Sequence, residues 1–486
     1  MIISPETAQT LMKAAQLNLE QITSIGDHVT ESWRTIVPAL QEYIDIPNVS
    51  RQFNPDWATD GHTQKVIRLV TAWIQAQDLQ GATWSVNKID GHAPVIFLEV
   101  PATPGASDKN VLLYGHLDKQ PGMAEKWRHG LGPWTPVIEG DRLYGRGSAD
   151  DGYAVFASVA AIKALQKSGI PHSKMTVLIE FSEESGSPGL EEHVISLQEK
   201  IGQPDLVICL DSGTCDYNRI WITTSLRGIV LGELRVQTLK NELHSGSGGG
   251  VVPSSFDVAI QLLSRLQDPR TLRITPQELQ VSIPQRRVDE ASVVGDLLGS
   301  GLLDMYSLRE GVHPLVTSPA EILLRNTWES ALIVTGVGDI SMSNGNVIAP
   351  SVSLKFNVRL SPTLSPSEAQ AFIERELTRD PPYGAHVTVS NLIAAPGWHS
   401  PELSPTLTAL VEGASMAFYG HPAAAMGEGG TIPFMGMLGR RFPKAQFIIT
   451  GVLGPGSNAH GPNEFLHIPY AERLTTSVAS ILAGLR

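Results

Sequence analysis

Cysteine is scarce: 486 residues hold only Cys209 and Cys215. A disulfide framework is excluded, and a thiolate zinc site has too few sulfurs. Any metal must therefore be held by histidine and carboxylate. Positive charge is also short, with 36 Lys and Arg against 49 Asp and Glu and a net charge of −13. A nucleic-acid binder needs a basic face, so that partner is excluded. No apolar run approaches the ~18 residues of a membrane span. The first residues carry no basic stretch followed by an apolar one, so neither a membrane partner nor a secretory leader is expected, and the expected location is cytoplasmic. Internal repeats and low-complexity segments are missing too. What remains is ordinary globular composition, 42% hydrophobic and 17% charged, in a chain too long for one core. The 45 glycines and 33 prolines imply many tight turns between short elements.

Helical spacing runs from a Ser4–Pro5–Glu6 start, again over about 29–43, and over about 63–77. Strand-like 84–89 and 95–100 flank a Gly91–His92 turn. Then the pattern changes. Short solid apolar runs, 111–114, 175–179, 206–210 and 447–449, lead into His116, Glu183–Glu184, Asp211 and His460. Runs of this kind are strands buried on both faces, and helical stretches such as 154–165 lie between them. The chain is therefore expected to be α/β, with a mainly parallel sheet whose carboxyl ends carry the ligand site. The middle reads β-α-β-β-α-β: 230–236, 254–266, 331–337, 352–360, 365–377 and 386–392. That is the order of a ferredoxin-like α+β domain, interrupted by a poorly patterned stretch at about 268–326. The expected division is a first catalytic segment at 1–225, an inserted domain at 226–395, and a return to the catalytic domain at 396–486, carrying His460.

The centre of this pattern is Asp150–Asp151–Gly152, after the glycine turn Gly145–Arg146–Gly147. His116 and Asp118 lie two apart on an extended segment, so both face one side. One can bind metal while the other orients or screens it. Glu183 and Glu184 diverge at a strand end, so one can coordinate metal and the other act as general base. Asp211 abuts a buried strand and needs a partner. His460 sits in a loop, Gly456–Gly461, flexible enough to arrive from far along the chain. Singly, each has a plainer reading: a loop histidine, a solvated acidic pair, or a cap by Asp150 or Asp151 for the helix at 154–165. Together they give two histidines and three carboxylates as metal candidates, with Asp118 and Glu183 to spare. Such N/O donors suit Zn²⁺, Mn²⁺ or Co²⁺. Five ligands exceed one catalytic zinc and suit two ions ~3.5–4 Å apart, with Asp150 as the shared carboxylate.

Gly115–His116–Leu117–Asp118, Gly145–Asp151, Ser182–Glu183–Glu184–Ser185–Gly186–Ser187, Leu210–Asp211–Ser212–Gly213 and the late His460 resemble the co-catalytic di-zinc peptidase family. Its dipeptidase branch is the most similar. The resemblance implies that the inserted domain is a lid and dimerisation module, and that the protein is a homodimer. It implies metal-dependent hydrolysis of dipeptides or short peptides by a metal-bridging hydroxide. In that scheme His116, Asp150, Glu184, Asp211 and His460 hold two metals, Asp150 bridges them, and the peptide bond after it is a candidate cis bond. Asp118 orients His116, and Glu183 is the general base. His244, in Leu243–His244–Ser245–Gly246, reaches a neighbouring subunit's site and steadies the oxyanion; its plainer reading is a turn histidine. Arg359, in Phe356–Pro362, holds the substrate carboxylate; its plainer reading is a strand residue with a solvated tip. An N-acyl amino acid deacylase with the same metals is the alternative activity. A non-catalytic binding module would have lost a ligand, and none is missing. Two departures stand out: Gly152–Tyr153 follows the acidic pair where relatives carry Lys and Gly, and Gly427 precedes Glu428–Gly429–Gly430–Thr431–Ile432–Pro433 where relatives often carry Arg.

Overall fold

The apolar runs become strands of one sheet. The computed structural model describes residues 4–338 and 345–485. It divides into a first unit, Met1–Thr223, Ser400–Ala425 and Met437–Arg486, and a second, Thr224–His399 and Met426–Gly436. Residues 426–436, expected within the last catalytic segment, thus group with the second unit.

The six-stranded sheet of the first unit runs Thr83–Asn87, Val95–Val100, Lys174–Glu180, Asn110–His116, Leu206–Cys209, Gln446–Ile449. The last four are mutually parallel; the first two make antiparallel pairs at one edge. Residues 111–116 and 206–209 are buried throughout, as expected of strands covered on both faces. The helix Tyr153–Lys167 packs on this sheet and beneath Leu19–Ile44 and Ile468–Ala483. It is buried nearly all round, which makes it a core helix.

Local chemistry sets the helix starts. Ser4 Oγ accepts from the Thr7 amide at 3.2 Å, and Pro5 takes the first helical position. The second helix begins ten residues before the expected position 29. Asn18 and Gln21 close a capping box there, the Gln21 amide donating to Asn18 Oδ1 at 2.8 Å.

In the second unit, four antiparallel strands lie in the order Ala331–Gly338, Ser351–Leu360, Gly228–Gln237, His386–Ala395. Helices Ser255–Leu263 and Pro366–Thr378 cover one face through Val258, Leu262, Phe372 and Ile373. This is the ferredoxin-like arrangement. The stretch that lacked a pattern contains two helices, Gln285–Leu298 and Pro319–Thr327, joined by a 3₁₀ run, Gly299–Tyr306. The first buries only Arg287, Ala291, Val294 and Gly295, a stripe too narrow and too polar to read as amphipathic. No described helix is long and apolar enough to cross a membrane.

Candidate metal centre

His116 ends its strand in register with Glu180, so its side chain leaves the sheet at the carboxyl edge. Nδ1 donates to the Asp118 carbonyl at 3.1 Å, which turns Nε2 towards Asp150 Oδ1 at 3.2 Å and Asp211 Oδ2 at 3.6 Å. The other Asp150 oxygen lies 3.0 Å from His460 Nε2, which is also 3.1 Å from Glu184 Oε2. Two donor groups result, His116–Asp150–Asp211 and Asp150–Glu184–His460, each with its ligand atoms within 4.8 Å of one another. Asp150 belongs to both, one oxygen facing each. The Asp150–Asp151 peptide bond is cis.

Asp118 is buried and accepts from two consecutive amides, Glu183 N at 3.0 Å and Glu184 N at 3.1 Å. One carboxylate thus holds the turn that carries both glutamates. Gln120 Nε2 donates to Glu184 Oε2 at 2.6 Å. Burial pushes the Glu183 carboxyl well above the ordinary range, and the charge of Asp211 adds to this. For Asp150, burial pushes upward, but hydrogen bonds from His116 and His460 outweigh it and hold the carboxyl below that range. Burial opposes charge on His460, and hydrogen bonds to Asp150 and Glu184 override it, raising the imidazole to about 11. Burial likewise opposes charge on His116, where Asp118 and Asp150 prevail. The two imidazoles are therefore the positive charges of an acidic cluster that is buried around His116 and open at His460. Oxygen and imidazole donors in two groups sharing one carboxylate fit two divalent ions.

Asp151 does not cap the following helix. That helix has Gly152 at its N-cap, with no side-chain bond, while Asp151 Oδ2 accepts from the His116 amide at 3.1 Å. Gly115 is required beside it, because an added Cβ would lie 2.7 Å from that oxygen and 2.6 Å from Ala154 Cβ. The missing lysine after the acidic pair also has a structural account. An added Cβ at Gly152 would meet the Tyr43 ring at 2.3 Å. The ammonium of Lys119 lies 3.8 Å from the centre of that ring and donates to the Tyr43 and Ile46 carbonyls, both at 2.7 Å.

The buried Glu464 has no counterpart in the sequence reading. It pairs with Arg146 at 2.7 Å and accepts from the amides of Gly147, Ala149 and Asp150 at 3.0, 3.2 and 3.2 Å. Its signal was an acid four residues after His460. Glu180 is a second such residue, pushed up to about 7 by burial and then by the charge of Asp118.

His244 and Arg359 lie in the second unit. His244 is exposed, with Nδ1 accepting from the Gly246 amide at 3.2 Å. Arg359 is half-buried and donates to Thr431 Oγ1 at 3.1 Å.

Known proteins agree with this picture. A cysteinylglycine-S-conjugate dipeptidase of Corynebacterium striatum is 26% identical over 468 residues, 94% of this chain and 98% of its own. The mouse Beta-Ala-His dipeptidase is 26% identical over 59% of this chain and 57% of its own. The solved structure of the di-peptidase Dug1p from Saccharomyces cerevisiae superposes with a TM-score of 0.73 at 21% identity, covering 96% of this chain and 98% of that one. Human carnosine dipeptidase 1 gives 0.72 at 20%, with the same coverage. Residues 112–484 match the profile of Peptidase family M20/M25/M40. With that match spanning most of the sequence, and with the fold and acidic cluster described above, the chain belongs to Peptidase family M20/M25/M40 and is a metallopeptidase.

Proposed function

We propose that the protein is a dipeptidase, acting on dipeptides or short peptides with two divalent ions, zinc in the first place and manganese or cobalt as substitutes. The observation that carries this reading is Asp150, with one oxygen in each of two donor groups. His116, Asp150 and Asp211 would hold one ion; Asp150, Glu184 and His460 the other. When bound, such ions polarise a water and an amide carbonyl.

The chain's own residues do the rest. Asp118 fixes His116 through the 3.1 Å carbonyl bond and fixes the Glu183–Glu184 turn through two amides. Glu183, whose burial raises its proton affinity, takes the proton of the attacking water. It then delivers that proton to the departing amine nitrogen. His244 of a second copy supplies a donor to the oxyanion, and Arg359 takes the substrate carboxylate. The active form is then a homodimer through the second unit. We place it in the cytoplasm.

The test is Glu183→Gln, assayed with both metals measured. Removal of a general base costs roughly 10²–10⁴-fold in rate. Turnover should fall by that much while two ions remain bound. Wild-type turnover in the metal-loaded variant would refute the assignment.

A further inference from the structure

The strand that ends at Glu180 leads into the turn carrying Glu183 and Glu184, yet Glu180 belongs to neither donor group. It is 1% exposed, and three hydroxyls donate to it. Oε1 accepts from Tyr114 Oη at 2.5 Å and from Ser187 Oγ at 2.8 Å, and Oε2 accepts from Ser182 Oγ at 3.1 Å. Three donors on one side chain call for a carboxylate, since a glutamine offers a single acceptor oxygen. Tyr114 lies on the strand Asn110–His116, which runs parallel to and pairs with the strand of Glu180. Its bond therefore ties the strand that delivers His116 to the one that delivers Glu183.

The two serines bracket the glutamates, Ser182 before them and Ser187 after. The turn closes on itself: the Ser182 carbonyl accepts from the Ser185 and Ser187 amides at 3.1 and 3.0 Å, and the Glu183 carbonyl accepts from the Gly186 amide at 2.7 Å. Asp118 grips its middle through the Glu183 and Glu184 amides. Ser185 Oγ accepts from the Gln52 amide at 2.9 Å. Asp118 by itself holds the turn along one edge, about which it could still tilt and carry the Glu183 carboxylate with it. Glu180 holds both ends and closes off that tilt. A catalytic group displaced by ~1 Å loses about 10²-fold in rate, so the tilt matters to the chemistry.

We propose that Glu180 is a positioning residue for the general base: through Ser182 and Ser187 it fixes the turn from which Glu183 reaches the attacking water. This rests on the reading of Glu183 as that base. Glu180 takes no proton in the reaction and acts through Glu183 alone.

The test measures kcat, KM and bound metal in the metal-loaded full chain, on whichever of Ala-Gly, Ala-Leu and Gly-Leu the wild type cleaves fastest. Glu180→Leu keeps the bulk and removes the acceptors, so kcat should fall ~100-fold with KM within ~2-fold and both ions still bound. Glu180→Gln keeps one acceptor oxygen for Tyr114 and Ser187 and should recover most of that loss. Ser187→Ala, at a half-buried position, removes a single bond without threatening the fold, and kcat should fall ~5-fold. The decisive readout is non-additivity. In the Glu183→Gln background, neither Glu180→Leu nor Ser187→Ala should lower the residual rate more than ~2-fold. Equal losses in both backgrounds, or a loss that follows departing metal, would mark a merely structural role and overturn the inference while leaving Glu183 as the base. Unchanged kcat in both single variants overturns it likewise. Wild-type turnover in Glu183→Gln overturns the base reading itself, and the inference with it.

Discussion

Glu464 touches no candidate ligand side chain, yet its replacement should dismantle the centre. Its carboxylate faces four donors, the Arg146 guanidinium and the amides of Gly147, Ala149 and Asp150. Both members of the ion pair are essentially inaccessible, at 1% and 0% side-chain exposure. Glu464→Ala strands a buried guanidinium, which costs about 3–5 kcal/mol, and orphans amides at roughly 1–3 kcal/mol in all. These terms overlap, so about 5 kcal/mol is expected, a large share of the ~5–15 kcal/mol by which proteins are stable. Glu464→Gln retains an acceptor for the amides and loses the charge, so about 2–3 kcal/mol is expected. In a unit of this size that is a fall in Tm of roughly 3–5 °C. Because the three amides belong to the stretch that presents Asp150, bound metal should fall with it. Differential scanning calorimetry of the metal-free chain and elemental analysis of the reconstituted one read the two effects. Glu464→Gln with wild-type Tm and two bound ions would refute the reasoning.

Further expectations follow from the same geometry. Metal binding should release protons, because His460 titrates at about 11 and His116 is also raised in the metal-free chain. Calorimetric metal titrations in two buffers of different ionisation enthalpy should show at least one proton released per chain, with affinity rising with pH; a buffer-independent heat would contradict this. The sign for the metal-free fold is the reverse. The raised His460 value means that the stability from its carboxylate contacts is complete below about 6.5 and is lost as pH climbs through about 11. Gly115→Ala should cost about 1–3 kcal/mol by overpacking against Ala154 and Asp151, seen as a lower urea midpoint; an unchanged midpoint would show that the strand end yields. Mixing inactive His244→Ala with inactive Glu183→Gln should restore part of the activity if His244 serves a second copy, whereas recovery of none would confine it to its own chain.

The strand ends were legible because a strand covered on both faces has to be apolar, so the first polar residue after each run is conspicuous. His116 and Asp211 stand out for that reason, whereas the Glu183–Glu184 pair reads as an acidic doublet further on, and Glu180, the first polar residue after 175–179, escapes that reading. Asp150 was legible as an acid after a glycine turn, though its plainer reading as a helix cap could not be dismissed from sequence, and only the packing shows the cap position filled by Gly152. Glu464 was illegible because its importance lies in three amides and an arginine about 315 residues away, and no local pattern encodes such a partner. The helices at 285–298 and 319–327 escaped because their buried stripes are short and include Arg287.

The Arg146–Glu464 pair spans 318 positions, and the whole second unit lies between its partners along with much of the first. Closing a flexible loop of that length costs about 5 kcal/mol of chain entropy, but the cost grows only logarithmically, so halving the loop would recover merely ~0.6 kcal/mol. A sheet that draws its last strand, Gln446–Ile449, and its late histidine from beyond an inserted unit therefore pays little thermodynamically for the detour. The burden falls on speed, since contacts this distant in sequence form slowly. The centre should be among the last parts of the molecule to assemble, after the sheet it crowns.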